Sequence, residues 1–229
     1  MCGRYTQTAA FDELALRFGI TVEETGLEDL PPRYNVAPSQ SVPIVVAHNG
    51  SRRIVVAKWG FHPAWMKDGK LAPINAKAET VAESRLFQEA VQRGRCLVPA
   101  DGFYEWKPVP GQKRQQPFYV RLKGGGLFAF AGLYTPPIVR AGFPATFTII
   151  TTTPNELLAP IHNRMPVVLK PEGWPACLGE EPADAPQLKA LLAPYPAEEM
   201  KCWPVSPRVG NVRSNDPSLI EPISVNEPA

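Results

Sequence analysis

The sequence predicts an α+β fold: a single domain over residues 1–229, built on a curved, mainly antiparallel β-sheet core with a few flanking helices. Three observations carry that expectation. Short β-branched and aromatic runs outnumber helical patterns and follow one another along the chain. The 27 prolines are scattered without repeat, so they punctuate short strands and ordered loops and leave no room for a long helical bundle. At 229 residues and 44% hydrophobic, the chain has the material for one sizeable core.

Taken in order, residues 9–18 place apolar side chains at helical spacing and end at Gly19, a C-cap. The runs 42–47 and 53–58 flank Asn49-Gly50, the strongest hairpin signal in the chain. Residues 78–93 read as the longest helix, closed by Gly94. Strands are expected at 95–98, 103–106, 117–122, 127–133 and 146–151, with Gly124-Gly125-Gly126 as a turn. A short helix is expected after Thr153-Pro154, because proline suits a first helical turn. Val167-Val168-Leu169 reads as a strand, residues 185–193 as a small helix, and 206–229 as an extended C-terminal segment on the surface.

Several function classes drop out. Uninterrupted apolar runs reach about half a dozen residues, far short of the ~20 of a membrane helix. Met1-Cys2-Gly3-Arg4-Tyr5-Thr6 has no basic segment leading into an apolar one, so no secretory signal is read and a cytoplasmic location is expected. The four cysteines form no CxxC pair, and His48, His62 and His162 show no zinc-type spacing, so no metal is expected. Cys96, Cys177 and Cys202 read as buried inert thiols. Net charge is only +2, but residues 101–150 carry +4 and residues 151–229 carry −4. Within 49–78, Arg52, Arg53, Lys58, Lys67, Lys70 and Lys77 face only Asp68, a bias that fits a polyanion or a solvated surface.

Cys2 is singled out by its place. If Met1 is removed, it becomes an N-terminal 1,2-aminothiol, with an amine near pKa ~7.7–8.0 and a thiol near ~8.5. The amine condenses with an aldehyde to an imine, and the thiol on the same residue closes a five-membered thiazolidine intramolecularly. Gly3 leaves room for a substrate beside the backbone. Three further residues have the chemistry to assist. Asn75, in Pro73-Ile74-Asn75-Ala76-Lys77, offers an amide for a ligand or for a helix entry. Glu105, in Phe103-Tyr104-Glu105-Trp106, is either buried among aromatics, with a raised pKa, or a strand carboxylate facing water. His162, in a proline-tight loop beside Arg164, is a proton shuttle or a structural histidine.

Read together, these blocks resemble the SRAP family (SOS-response-associated peptidase, or abasic-site processing proteins). The resemblance rests on Met1-Cys2-Gly3-Arg4-Tyr5, Arg33-Tyr34-Asn35-Val36-Ala37-Pro38, Trp59-Gly60, Ile74-Asn75-Ala76-Lys77-Ala78-Glu79-Thr80, Cys96 through Lys107, and Ile161-His162-Asn163-Arg164-Met165-Pro166, in order along nearly the whole chain. Val205-Ser206 and Val209-Gly210-Asn211-Val212 match the family's C-terminal end. It implies a sensor and shield of abasic sites in single-stranded DNA, nucleoid-associated when bound, needing no cofactor and acting as a monomer. Cys2 would form the thiazolidine, Asn75 would orient the deoxyribose or the cysteine, Glu105 would assist ring opening, and His162 would shuttle protons. Arg4, Arg164 and Lys77 would bind flanking phosphates, with lysine standing where relatives often carry arginine. Asn35 joins this DNA-binding set, and Pro38, Trp65 and Met66 would form the surface on which bases stack or are displaced; Trp65 and Met66 lie on a 63–73 loop longer than in some relatives. The alternatives are a cysteine peptidase with Cys2 as nucleophile and His162 as base, and a non-covalent reader of modified DNA bases.

Overall fold

The computed structural model describes residues 2–20, 31–66, 72–111, 114–139 and 142–224. Met1, residues 67–71 of the 63–73 loop and the last five residues of the C-terminal segment lie outside that set. Strand β1 (Tyr5–Gln7) precedes helix α1 (Phe11–Phe18), then β2 (Arg33–Val36), β3 (Ser41–His48), β4 (Ser51–Trp59) and β5 (Asn75–Lys77). Helix α2 (Gln88–Arg93) leads into β6 (Arg95–Ala100), β7 (Gly102–Lys107), β8 (Gln116–Leu122), β9 (Phe128–Thr135) and β10 (Thr146–Thr152). The chain closes with β11 (Met165–Pro166), β12 (Val168–Leu169), α3 (Trp174–Leu178), α4 (Ala185–Ala190) and β13 (Met200–Pro204).

Local sequence accounts for much of this. Phe11, Leu14, Ala15 and Phe18 form the buried stripe of α1, and Gly19 ends it at φ 63°. The β3–β4 hairpin runs in unbroken register from Ser41↔Lys58 to His48↔Ser51. Asn49 (φ 50°) and Gly50 (φ 76°) both adopt the left-handed conformation its two-residue turn requires.

The larger sheet closes on itself. Strands β4, β3, β6 and β9 pair in sequence, and β10 completes the ring, antiparallel to β9 and parallel to β4 at Thr146↔Lys58. The far half of β10 holds β5 in parallel and β11 antiparallel. A second sheet, in the order β13-β8-β7-β1-β2, lies beside this barrel. Period-two alternation sorts the side chains. Cys96, Val98, Phe128 and Phe130 share one core with Tyr5, Phe103 and Val120 of the second sheet. Leu97, Ala129, Ala131 and Leu133 turn the other way, against Leu14 and Phe18 of α1 and Trp174 and Cys177 of α3. The C-terminal segment is more than a surface strap: two 3-10 turns, Pro207–Gly210 and Pro217–Ile220, bury Val209 and Leu219 against Tyr104 and Tyr119.

Two helical expectations are corrected. The 78–93 pattern gives a helix only over Gln88–Arg93. Upstream, the Ala78 N–H donates to Thr151 O, continuing the β5 ladder, and hydrogen-bonded turns then place Val81 and Phe87 inward. Packing against β10 outweighs helical propensity there. Gly94 is set by space: a Cβ would lie 2.3 Å from Tyr134 O. After Thr153-Pro154 the chain makes successive turns rather than a helix. Asn155 Oδ1 takes the Leu158 N–H, and Pro160 has no N–H to propagate a ladder. Cys96 and Cys177 are buried as expected, whereas Cys202 is only half-buried.

Candidate active site

Strand β1 is pinned between β2 and β7, with Tyr5 opposite Val36 on one side and Phe103 on the other. Side chains reinforce that placement. Asp101, in the turn between β6 and β7, accepts from Thr6 Oγ1 and, at 2.6 Å each, from the Thr8 N–H and hydroxyl. Thr6 Oγ1 also meets Tyr119 Oη at 2.9 Å. Gln7 Nε2 donates to Pro43 O and Pro99 O. The segment leading into β1 delivers Cys2 to the shared core, with no exposed surface.

Glu105 is brought to the same place by strand alternation. Phe103 and Glu105 occupy one face of β7, the core face, while Tyr104 and Trp106 turn to the C-terminal segment. The aromatics beside Glu105 in sequence are therefore not what buries it. At 1% exposure, burial raises its carboxyl to about 7. Burial also pushes the Cys2 thiol well up, and the nearby Glu105 carboxylate adds to the rise, so the sulfur is held as a thiol.

His162 reaches this pair from the loop before β11. Its Nδ1 lies 3.9 Å from Glu105 Oε2, an ion-pair distance if the ring is protonated but too long for a direct hydrogen bond. The Arg164 backbone N–H points at Nδ1 from 3.1 Å, which assigns the neutral ring's proton to Nε2. Arg164 O is 3.2 Å from the same nitrogen and can accept from it once the ring is protonated. Partial burial lowers the His162 pKa, favouring the neutral ring.

Asn75 opens β5 and is not a helix entry. It stands beside Ile149 of β10, its Nδ2 donating weakly to Ile149 O at 3.5 Å, and its Oδ1 is buried without a partner. Lys77 pairs with Thr151 and is exposed. Arg164 lies against the same stretch of β10, with Nη1 and Nη2 on the two Glu79 oxygens at 2.6 and 2.9 Å and Nη2 also 2.6 Å from Thr151 O. The middle of β10 thus joins the Asn75 and His162 segments.

The remaining expected DNA contacts divide. Arg4 and Asn35 bond to each other at 2.8 Å, and both reach Val209 O. Asn35 Nδ2 also donates to Asn211 O and Ser214 O, so this pair ties down the C-terminal segment. Pro38 lies half-buried in the turn between β2 and β3. Trp65 is 56% exposed and Met66 half-buried, so the tryptophan ring is free to meet a base. Sequence reasoning overlooked Asp101, Thr6 and Glu79. The available signal for Glu79 was an acidic side chain inside the same motif as Asn75 and Lys77. Among the described residues, no three His, Cys, Asp or Glu side chains group closely enough for a metal ion. No described helix is long and apolar enough to cross a membrane.

The family model for the SOS response associated peptidase (SRAP) matches residues 1–212. The abasic site processing protein YoqW of Bacillus subtilis is 41% identical over 224 residues, covering 96% of this chain and 99% of its own. The abasic site processing protein YedK of Escherichia coli is 33% identical, covering 97% and 100%. A solved protein from Bacteroides thetaiotaomicron superposes with a TM-score of 0.86 at 26% identity, covering 97% of this chain and 100% of that one.

Proposed function

The chain belongs to the SOS response associated peptidase (SRAP) family, and on that footing we propose that it senses and shields abasic sites in single-stranded DNA by a covalent link through Cys2. Relatives named as abasic site processing proteins support a DNA-processing role. The observation that carries the reading is a convergence: a thiol, a carboxyl held near 7 and an imidazole kept neutral meet at one point.

With Met1 removed, the Cys2 amine adds to the C1′ aldehyde of the opened deoxyribose. Glu105, split between acid and carboxylate near neutrality, donates a proton to the sugar ring oxygen as the ring opens, and the proton of the C1′ hydroxyl returns to its carboxylate. The carbinolamine forms and loses water to give the imine as His162, neutral at the start, takes the amine protons from nitrogen and passes them to the departing oxygen. The Cys2 sulfur then bonds to C1′, its proton passes to nitrogen, and the thiazolidine closes. The sum is aldehyde plus aminothiol giving thiazolidine plus one water. Asn75 Oδ1, an acceptor without a partner, orients the amine or a sugar hydroxyl. Lys77 and exposed Trp65 take a phosphate and a base of the flanking strand. A cysteine peptidase needs a ready thiolate, and here burial and Glu105 both oppose one.

The test is intact-mass spectrometry after incubation with a single-stranded oligonucleotide treated with uracil glycosylase. The expected mass is protein plus oligonucleotide minus one water, stable to high salt on a denaturing gel. Cys2→Ala abolishes the adduct and Cys96→Ala retains it; trimmed wild-type protein that stays unmodified overturns the proposal.

A further inference from the structure

Strand β4 is paired along only one of its sides. β3 covers it from Ser51 to Lys58, whereas β10 reaches it only at Lys58 and Trp59. Upstream of that contact the β10 ladder stops for a local reason. Pro144 has no N–H, and Phe143 O already accepts from the Ile138 N–H at 2.9 Å. Among the described residues, no other backbone pairs with this side of β4 over 51–57.

Register decides which groups the edge presents. The two-residue turn makes His48↔Ser51 a hydrogen-bonded pair, and such pairs alternate with open ones along an antiparallel ladder. Arg52, Ile54, Val56 and Lys58 therefore aim their N–H and C=O groups away from β3. Two details agree with this. Val56 stands opposite Pro43, which has no N–H to give, and the Lys58 N–H donates to Ala145 O at 2.8 Å. Arg52, Ile54 and Val56 are left as an open template of alternating donors and acceptors. Side chains narrow what fits it. Val56 is 43% exposed and shares a face with half-buried Ile54, while Arg53 is exposed on the other face. No acidic residue occurs between Pro31 and Met66 in the sequence, so Arg53 and Lys58 leave the edge positive.

We propose that the free edge of β4 accepts an extended acidic segment of a partner protein as an added strand. A nucleic-acid backbone would answer the outward N–H groups with phosphate oxygens and leave the carbonyls unserved. A second copy of this chain would set like charges against each other. A peptide strand satisfies donors and acceptors alike, with apolar side chains over Ile54 and Val56 and carboxylates beside Arg53.

The probe is a fluorescein-labelled peptide of alternating valine and glutamate, added to the full chain. Fluorescence anisotropy should show binding, and the amide signals of Arg52, Ile54 and Val56 should shift while those of Trp65 and Lys77 stay. Methylating the nitrogens on the peptide's pairing edge keeps its side chains and charge, and should weaken binding about tenfold or more. Val56→Pro removes an outward donor that β3 does not use, and should weaken binding about tenfold. Arg53→Glu should weaken it as well, through charge. In the free protein the Arg52, Ile54 and Val56 amides should exchange readily with solvent. Absence of binding, equal binding of the methylated peptide, or protected edge amides in the free protein overturns the proposal. The same edge shifts produced by an undamaged single-stranded oligonucleotide, or by raising the protein concentration alone, overturn it in favour of a nucleic-acid face or a self-pairing edge. Should Val56→Pro fail to fold, the methylated peptide decides the question on wild-type protein.

Discussion

The seam that carries Cys2 and Glu105 and the loop that carries His162 reach the same point by opposite means. The seam is dry and held by strand pairing on both sides of β1, with Asp101, Thr6 and Tyr119 bonded beneath it. Its reactive groups are tuned by desolvation, which needs near-complete burial. The loop has little regular structure: turns over 155–162, a short β11 and a charged clamp to Glu79. Its histidine is a quarter exposed and is oriented by a backbone amide. A group whose pKa is moved by burial sits inside, where water cannot undo the shift, while the imidazole to which proton transfer is assigned in the proposed reaction stays at the edge, where polar bonds aim it.

Replacing Glu105 by glutamine strains this contrast most. Cross-linking should slow by about a hundredfold or more, the range of general acid–base contributions. Stability should move the other way. A carboxyl raised to about 7 contributes fully below the ordinary carboxylate range, and its contribution is lost as pH rises through 7. The variant should therefore melt higher than wild type at pH 8, by a free energy on the order of 3 kcal/mol, and the gain should vanish below about pH 5. Equal melting temperatures at pH 8 would show that Glu105 is not desolvated.

Asp101→Asn probes how the seam is held. It sets an amide where the Thr6 and Thr8 donors need a carboxylate, which should cost about 1.5–3 kcal/mol in urea unfolding. Cross-linking should fall with it, because β1 anchors the segment that holds Cys2, the proposed nucleophile; a destabilised variant with full cross-linking would show that Cys2 is placed independently of this anchor. The smallest effect belongs to the outer edge. Lys77→Ala should reduce the salt slope of single-strand binding by about 0.7 and leave the rate at saturating DNA unchanged. A lower saturated rate would move Lys77 from strand binding into the chemistry.

Much of this was legible locally. The β3–β4 hairpin, α1 with its glycine cap and the run of strands from β6 to β10 follow from short patterns, since turn chemistry and two-residue alternation act over a few residues. The 78–93 helix was misread because Ala78 is hydrogen-bonded to Thr151, a partner seventy-three positions away, and local propensity carries no trace of that. β5 escaped notice for the same reason: three residues make a strand only where β10 is present. Cys2, Asn75, Glu105 and His162 stood out as residues, yet the cause of Glu105 burial and the engagement of Arg164 and Arg4 did not.

By itself, then, the sequence determined which chemical groups are available and the order in which strands are made, because both are properties of residue type and near neighbours. Which face Glu105 takes, which cations stay open to a polyanion and what aims His162 were decided only when β1, β7, β10 and the β11 approach came together. Desolvation and ion pairing depend on distance in space, and positions 2, 79, 105 and 164 share no neighbourhood until the barrel and its companion sheet bring them together.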